Sequence, residues 1–139
     1  YWNLPDKTAQ EFTDDSFFIT GDQGVISDDG YISIVGRAKD MVISGGYNVY
    51  PKEVELVIDA IEGIRESAVF GVADADFGEA VSVAVVADDV SLTSDVVIAD
   101  ARQKLAAYKI PKYVHFVDEL PRNTMGKVQK NNLRKKFTG

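Results

Sequence analysis

The sequence contains no cysteine and a single histidine, His115. Without cysteine there is no disulfide framework, no thiolate nucleophile and no thiolate metal ligand, which fits a reducing compartment such as the cytoplasm. One histidine with no second histidine or cysteine near it cannot build a metal site. We therefore expect His115 to be structural or solvent-facing, and we expect no bound metal in this chain.

Long apolar runs and signal-peptide features are also missing, so we expect no membrane association. No glycine-rich loop ending in Lys-Ser or Lys-Thr is present to cradle phosphates, and there is no nucleophile elbow. The phosphate-loop ATPases and the serine hydrolases are therefore not supported.

Positive charge is scarce, with 15 Lys and Arg against 22 Asp and Glu and a formal net charge of -7. Nucleic acid is not expected as a partner of so acidic a chain. The sign reverses near the C-terminus, where no acid interrupts a basic series: Arg122, Lys127, Lys130, Arg134, Lys135 and Lys136. One interpretation is a non-catalytic interaction module whose basic helix docks on an acidic partner or on RNA, although the overall acidity argues against RNA.

The first 38 residues carry short helix, strand and turn patterns. Pro5 favours a helical turn up to about Phe12, and residues 16–21 (Ser-Phe-Phe-Ile-Thr-Gly) predict a strand. Residues 25–35 predict a β-hairpin with Asp-Gly in its turn. Because an isolated hairpin is marginal in water, we expect this part to pack on residues outside the sequence. The chain starts without Met, and we expect it to be the C-terminal piece of a longer protein.

From Met41 onward, helix and strand patterns alternate. Pro51 predicts the start of a helix that Gly63 ends, and two nearly continuous apolar runs predict strands that helices cover. The predicted strands are residues 67–72, 80–87 and 113–117, and the other predicted helices are one capped by Ser94 or Asp95 that ends before Pro111 and a basic one from about Gln129. This order predicts a small α+β domain with a mixed three-stranded sheet flanked by helices.

Three side chains have the chemistry of a nucleotide or acyl-transfer site, and each also has a simpler interpretation. Lys127 follows a glycine in a loop, where its ammonium could stabilise an oxygen that gains charge during a reaction, or could be one more solvated lysine. Asp22 could accept hydrogen bonds from a ribose diol or only form a turn. Arg37 could bind ribose or phosphate oxygens or pair with Asp40 on the surface.

Four segments together resemble the successive signature motifs of the adenylate-forming acyl-CoA synthetases, which are acyl-activating, AMP-binding enzymes. They are residues 18–22 (Phe-Ile-Thr-Gly-Asp), 35–40 (Val-Gly-Arg-Ala-Lys-Asp), 43–53 (Ile-Ser-Gly-Gly-Tyr-Asn-Val-Tyr-Pro-Lys-Glu) and 120–127 (Leu-Pro-Arg-Asn-Thr-Met-Gly-Lys). The family's order and spacing are kept, and the resemblance covers essentially the whole chain. It implies that a carboxylate is joined to ATP with release of pyrophosphate, and that the acyl group then passes to the thiol of CoA.

The resemblance also implies residue roles near the end of the hairpin. Asp22 matches the acid that holds the ribose hydroxyls of ATP, and Arg37 matches its partner at the ribose. Lys39, next to Asp40, matches the hinge about which a small mobile C-terminal domain swings between the two half-reactions. The chain would then divide into residues 1–38, the tail of a large AMP-binding domain, and residues 39–139, the C-terminal domain.

Two further loops have implied roles in the two half-reactions. Lys127 matches the lysine that reaches the carboxylate and the α-phosphate during adenylation. Ser44, Gly45 and Gly46 match the loop that lines the pantetheine tunnel of CoA during thioester formation. Since the large domain would bind most of the ATP and the Mg²⁺, it is a required partner. We predict that this chain alone catalyses no ATP–pyrophosphate exchange and makes no acyl-CoA.

Within the family, residues 48–54 (Asn-Val-Tyr-Pro-Lys-Glu-Val) and 121–130 look most like the malonyl-CoA synthetases. Medium- and long-chain fatty acyl-CoA ligases and carrier-protein-loading adenylation domains are the alternatives. Pro121 followed by Gly126 and Lys127 also resembles the pattern at which protein lysine acetyltransferases silence these synthetases, an effect that a deacylase reverses. Acetylation would remove the charge of Lys127.

Overall fold

The structure, a computed structural model, describes residues 4–138. Residues 1–3 lie outside the described residues. The structure therefore does not bear on the expectation, drawn from the missing initial Met, that the chain is a piece of a longer protein. The N-terminal part contains α1 (Pro5–Glu11) and a two-stranded antiparallel sheet of β1 (Asp22–Ile26) and β2 (Ile32–Arg37). The predicted helical turn and hairpin are therefore confirmed.

The strand predicted at residues 16–21 is wrong. This segment forms only an isolated bridge between Phe12 and Phe18. The hydroxyl of Thr13 accepts a hydrogen bond from the N–H of Phe17 at 3.0 Å and closes a turn, which leaves too little extended chain for a ladder. On the neighbouring hairpin, Ile26 and Ile32 remain 70 % and 71 % exposed, so their apolar surface has little packing within residues 4–138.

The second part is built on a mixed sheet of five strands, β3 (Val42–Ser44), β4 (Tyr47–Val49), β5 (Ile64–Asp74), β6 (Gly78–Ala87) and β7 (Tyr113–Phe116). The order is β4-β3-β6-β5, and β7 pairs in parallel with β6 while the other pairs are antiparallel. β5 pairs along the whole of β6, so β3 and β7 share the opposite edge of that strand.

Helices cover both faces of this sheet, which explains the nearly continuous apolar runs at residues 68–73 of β5 and 80–87 of β6. On one face, Val69, Val83 and Val85 pack with residues of α2 (Pro51–Asp59) and α3 (Ser94–Lys104). On the other face, Phe70 and Ala84 pack with Leu133 of α4 (Lys130–Phe137). The α+β class, the mixed sheet and its flanking helices are confirmed.

The sheet has five strands rather than three because the segment around Gly45 and Gly46 itself forms a short hairpin, β3 and β4. Two local predictions also differ from the structure. α3 is capped by Thr93, whose hydroxyl accepts from the N–H of Val96, and not by Ser94 or Asp95. α2 ends at Asp59, before Gly63. Within residues 4–138, no helix is both long and apolar enough to span a bilayer.

Candidate functional site

The loop that carries Lys127 is a tight turn held by its own residues. The Asn123 side-chain oxygen accepts hydrogen bonds from the N–H groups of Met125 (3.0 Å) and Lys127 (2.9 Å). Gly126 has a φ of +80°, a left-handed conformation that glycine adopts without strain. Arg122 donates to the carbonyl of Gly126 at 2.8 Å. The backbone that presents Lys127 is therefore fixed.

The side chain of Lys127, in contrast, is exposed, and its ammonium has no hydrogen bond or ion pair with any residue of the described part of the chain. Lys127 shares this state with Lys39, Lys52 and Lys135, whereas four other lysines of the same part are paired: Lys104 with Asp100, Lys109 with Glu53, Lys112 with Asp74 and Lys130 with Glu55. An ordered loop thus presents an unpaired cation, which is the geometry needed to enter a site formed elsewhere.

Asp22 and Arg37 are brought together at the open end of the first hairpin. They are partners in the β1–β2 register, and the Arg37 Nε lies 2.8 Å from the Asp22 Oδ1. Arg37 also donates to the Thr20 carbonyl at 2.9 Å. The predicted alternative, an Arg37–Asp40 pair, is wrong because the strand register directs Arg37 to Asp22. Asp40 instead lies 3.7 Å from Arg134 of α4.

A short 3₁₀ helix, Ala38–Asp40, connects the two-stranded sheet to the five-stranded sheet, and Lys39 is exposed on it. No hydrogen bond or ion pair joins residues 12–37 to residues 41–138. A cleft of about 340 Å³ lies between the two parts, with Asp22 and Arg37 on one side and Lys52 and Lys130 on the other. The two parts are therefore joined mainly by the backbone at residues 38–40, with an open cleft beside this connection.

The segment Ser44-Gly45-Gly46 connects β3 to β4. Gly45 and Gly46 have φ values of +57° and +82°, as a two-residue type I′ hairpin turn requires, while Ser44 is buried beside them. This turn borders an apolar groove of about 510 Å³. Aromatic side chains form its rim, and the rings of Tyr47 and Tyr108 stack with their centroids 4.8 Å apart.

One side of this groove has a fixed charge pair. Lys112, which lines the groove, bonds to Asp74 with 2.7 Å between Nζ and Oδ2. This hydrogen bond lowers the pKa of Asp74 to about 2. The ammonium of Lys112 also lies 5.3 Å from the centroid of the Phe77 ring. The groove therefore offers aromatic faces and one lysine–aspartate ion pair to a ligand.

The family model of the AMP-binding enzyme C-terminal domain matches residues 53–127. This chain belongs to that family. Among its relatives, the long-chain-fatty-acid–CoA ligase FadD13 of Mycobacterium tuberculosis is 44 % identical over 138 residues, which are 99 % of this chain and 27 % of the relative. This AMP-binding C-terminal domain thus spans about a quarter of the length of the curated relatives it matches.

Solved structures show the same fold. The ATP-bound MatB of Rhodopseudomonas palustris is 55 % identical, with a TM-score of 0.90 over 99 % of this chain and 28 % of MatB. The amide bond synthetase McbA of Marinactinospora thermotolerans is 36 % identical, also with a TM-score of 0.90, over 100 % of this chain and 28 % of McbA. The AMP-binding C-terminal domain therefore occurs in relatives that are named for different activities.

The structure unites some of the predicted residues and separates others. Asp22 contacts Arg37, and Ser44 and Gly45 line one groove, but Lys127 lines neither that groove nor the cleft beside Arg37. Sequence reasoning missed the aromatic residues of the groove, Tyr47, Phe77 and Tyr108. Phe77 had a detectable signal, because a large apolar side chain is unusual within the polar turn Asp-Ala-Asp-Phe-Gly-Glu.

Proposed function

We propose that this AMP-binding C-terminal domain, with its N-terminal tail, is part of an ATP-dependent carboxylate–CoA ligase. The observation that carries the proposal is the unpaired ammonium of Lys127 on an ordered loop. The names of relatives such as FadD13, a CoA ligase, and the ATP bound to MatB support the reaction and its nucleotide. In the first step a carboxylate oxygen attacks the α-phosphorus of ATP, and pyrophosphate leaves. In the second step a CoA thiol attacks the acyl carbonyl, and AMP leaves.

Lys127 would act in the first step. Negative charge develops on the α-phosphate oxygens as the carboxylate attacks, and an ammonium delivered there stabilises the transition state more than the ground state. Because Lys127 has no partner within residues 4–138, delivery breaks no ion pair of this domain. Its acetylation by a protein lysine acetyltransferase stays a prediction, as does a cytoplasmic location.

Asp22 and Arg37 would bind the ribose. Arg37 contacts Oδ1 of Asp22, and the partly exposed Asp22 carboxylate would accept hydrogen bonds from the ribose hydroxyls. Within residues 4–138, no group of three or more acidic or histidine side chains could hold a metal ion. On the resemblance to the family we propose that Mg²⁺ is bound mainly by the large domain, and no role given to this chain's residues depends on it.

We further propose a division into residues 1–38 and 39–139 with the hinge at Lys39 and Asp40. The lack of bonds between residues 12–37 and 41–138 supports it. Rotation about this junction would bring the Ser44–Gly45–Gly46 turn to the acyl group in place of Lys127. The adjoining groove, lined by Tyr47 and other aromatic side chains, would then receive the pantetheine arm of CoA.

For the carboxylate we propose malonate, on the resemblance of residues 48–54 and 121–130 to the malonyl-CoA synthetases. Fatty acids are the main alternative, since FadD13 is 44 % identical. McbA, whose fold is shared, is named an amide bond synthetase, so an acceptor other than CoA is the second alternative. A phosphopantetheinyl carrier protein is a further candidate acceptor.

The test uses this chain joined to its large domain and compares Lys127→Ala with Lys135→Ala, a matched control at an exposed lysine of α4. Adenylate formation is measured by ATP–pyrophosphate exchange with malonate and with fatty acids. Thioester formation is measured from supplied acyl-adenylate with CoA and with a carrier protein. We expect Lys127→Ala to lower exchange by about 10²-fold or more and to leave thioester formation near that of the control. Equal loss in both steps would contradict the proposal.

A further inference from the structure

Few backbone bonds attach the hairpin of β3 and β4 to the rest of the sheet. β3 pairs with β6 at one position, Ser44 with Gly78, and the N–H of Gly45 donates to the carbonyl of Phe77 at 3.0 Å. These contacts lie at the C-terminal end of β3 and fix the position of the glycine turn. They do not hold the N-terminal end of β3, which is nearer to Lys39, against β6.

A side chain supplies a further hydrogen bond to β3. Glu79, on β6, accepts a hydrogen bond from the backbone N–H of Ile43 through Oε2 at 2.9 Å. Its carboxylate occupies the space over Gly71 of β5, where an added Cβ would lie 2.9 Å from Oε1 of Glu79 and 3.2 Å from Cγ1 of Val42. Glycine at position 71 thus leaves room for the carboxylate beside the backbone of β3.

From these contacts we propose that Glu79 is a positioning residue for thioester formation. It holds β3 against the sheet, and β3 holds the Gly45–Gly46 turn beside Phe77 at the rim of the groove. Glu79 itself touches no reactant in this scheme. The inference rests on the proposed function, since it assigns the turn to the second half-reaction.

The bond requires the reach of the side chain, whereas the charge only strengthens it, because a neutral amide oxygen at the same place also accepts a hydrogen bond from a backbone N–H. Two substitutions separate these properties. Glu79→Gln keeps the length and an oxygen acceptor but removes the charge, whereas Glu79→Asp keeps the charge but is one methylene too short. If Glu79 positions the turn, Glu79→Gln will preserve thioester formation and Glu79→Asp will not.

The kinetic test uses the chain joined to its large domain, with Glu62→Ala as the matched control at an exposed acid. Glu79→Asp should lower thioester formation from supplied acyl-adenylate by about 10- to 100-fold, the loss expected for a misplacement of about 1 Å. Its ATP–pyrophosphate exchange should stay within about twofold of the control. Glu79→Gln should retain both activities. The inference would be overturned if Glu79→Gln lost thioester formation while Glu79→Asp retained it. It would also be overturned if Glu79→Asp lost both half-reactions equally.

A second measurement needs no catalysis. Amide hydrogen exchange at Ile43, measured by NMR on this chain, should be at least about tenfold faster in Glu79→Asp than in the unmodified chain and nearly unchanged in Glu79→Gln. Unchanged exchange in Glu79→Asp would overturn the inference and leave the proposed function intact. An unmodified full-length protein that forms no thioester would overturn both, even where Ile43 exchange responds as expected.

Discussion

Replacement of Lys130 by methionine should destabilise the domain strongly, although Lys130 belongs to a basic segment at the end of the chain. Its ammonium lies 2.7 Å from Oε1 of Glu55, and the two side chains are 16 % and 12 % exposed. The same oxygen of Glu55 accepts the N–H of Val69 at 2.9 Å. This one carboxylate therefore links α2, the edge strand β5 and the first residue of α4.

The magnitude follows from what the substitution leaves behind. Lys130→Met keeps the apolar stem but leaves a mostly buried Glu55 carboxylate without its counter-charge. Breaking a buried pair in this way costs about 3–5 kcal/mol, and we take about 3 kcal/mol because Val69 still donates to the carboxylate. In a domain of this size such a loss lowers Tm by about 10 °C.

The assay is urea and thermal unfolding at neutral pH, followed by circular dichroism. Lys135→Met, at an exposed lysine of the same helix, is the control and should change stability by less than about 0.5 kcal/mol. The double variant Glu55→Met with Lys130→Met removes both charges, so it should cost less than the sum of the single variants by at least about 1 kcal/mol. A Lys130→Met protein as stable as the control, or strictly additive variants, would refute the reasoning.

Two further predictions concern the face of the sheet that α4 covers. Burial lowers the pKa of His115, which lies 3.1 Å from Ser82 Oγ and stacks on Phe137. The free energy of unfolding should therefore fall as pH decreases from about 6.5 toward the lowered folded-state pKa. His115→Gln should remove this pH dependence when unfolding is measured between about pH 5 and 8. An unchanged pH dependence in this variant would contradict the role given to His115. Leu133, 2 % exposed, anchors α4, and Leu133→Ala should cost about 3 kcal/mol in urea unfolding, whereas a loss below about 1 kcal/mol would mean that α4 packs without it.

Regular apolar patterns made most of the fold predictable from sequence. The spacing of Val54 and Ile58 predicted α2, and the continuous apolar runs predicted β5 and β6, because burial on both faces requires apolar side chains at successive positions. Residues 16–21 have the same local character, yet Thr13 closes a turn there and only Phe12 pairs with Phe18. A strand forms only where a neighbouring strand can pair with it, and the local sequence pattern does not indicate whether such a strand is available.

The candidate site was predictable where a motif marks it and not where tertiary contacts create it. Lys127, Asp22 and Arg37 were found from their motifs, although residue type alone left each with a simpler interpretation. The groove was missed because Tyr47, Phe77 and Tyr108 lie far apart in sequence and meet only when β4, the turn before β6 and the segment before β7 pack together. Glu79 was missed for a similar reason, since its partner, the N–H of Ile43, is 36 residues away.

The two loops assigned to the two half-reactions are attached near opposite ends of the paired strands β5 and β6. Arg122 pairs with Glu66 of β5 and thereby attaches the Lys127 loop, while the Gly45 turn is bonded to Phe77 just before β6. β5 and β6 pair without interruption from Glu66 and Val86 to Asp74 and Gly78, so the whole length of this ladder separates the two loops. The proposed exchange of loops therefore requires the whole domain to turn. Since no hydrogen bond or ion pair joins residues 12–37 to residues 41–138, such a turn sacrifices none between these segments.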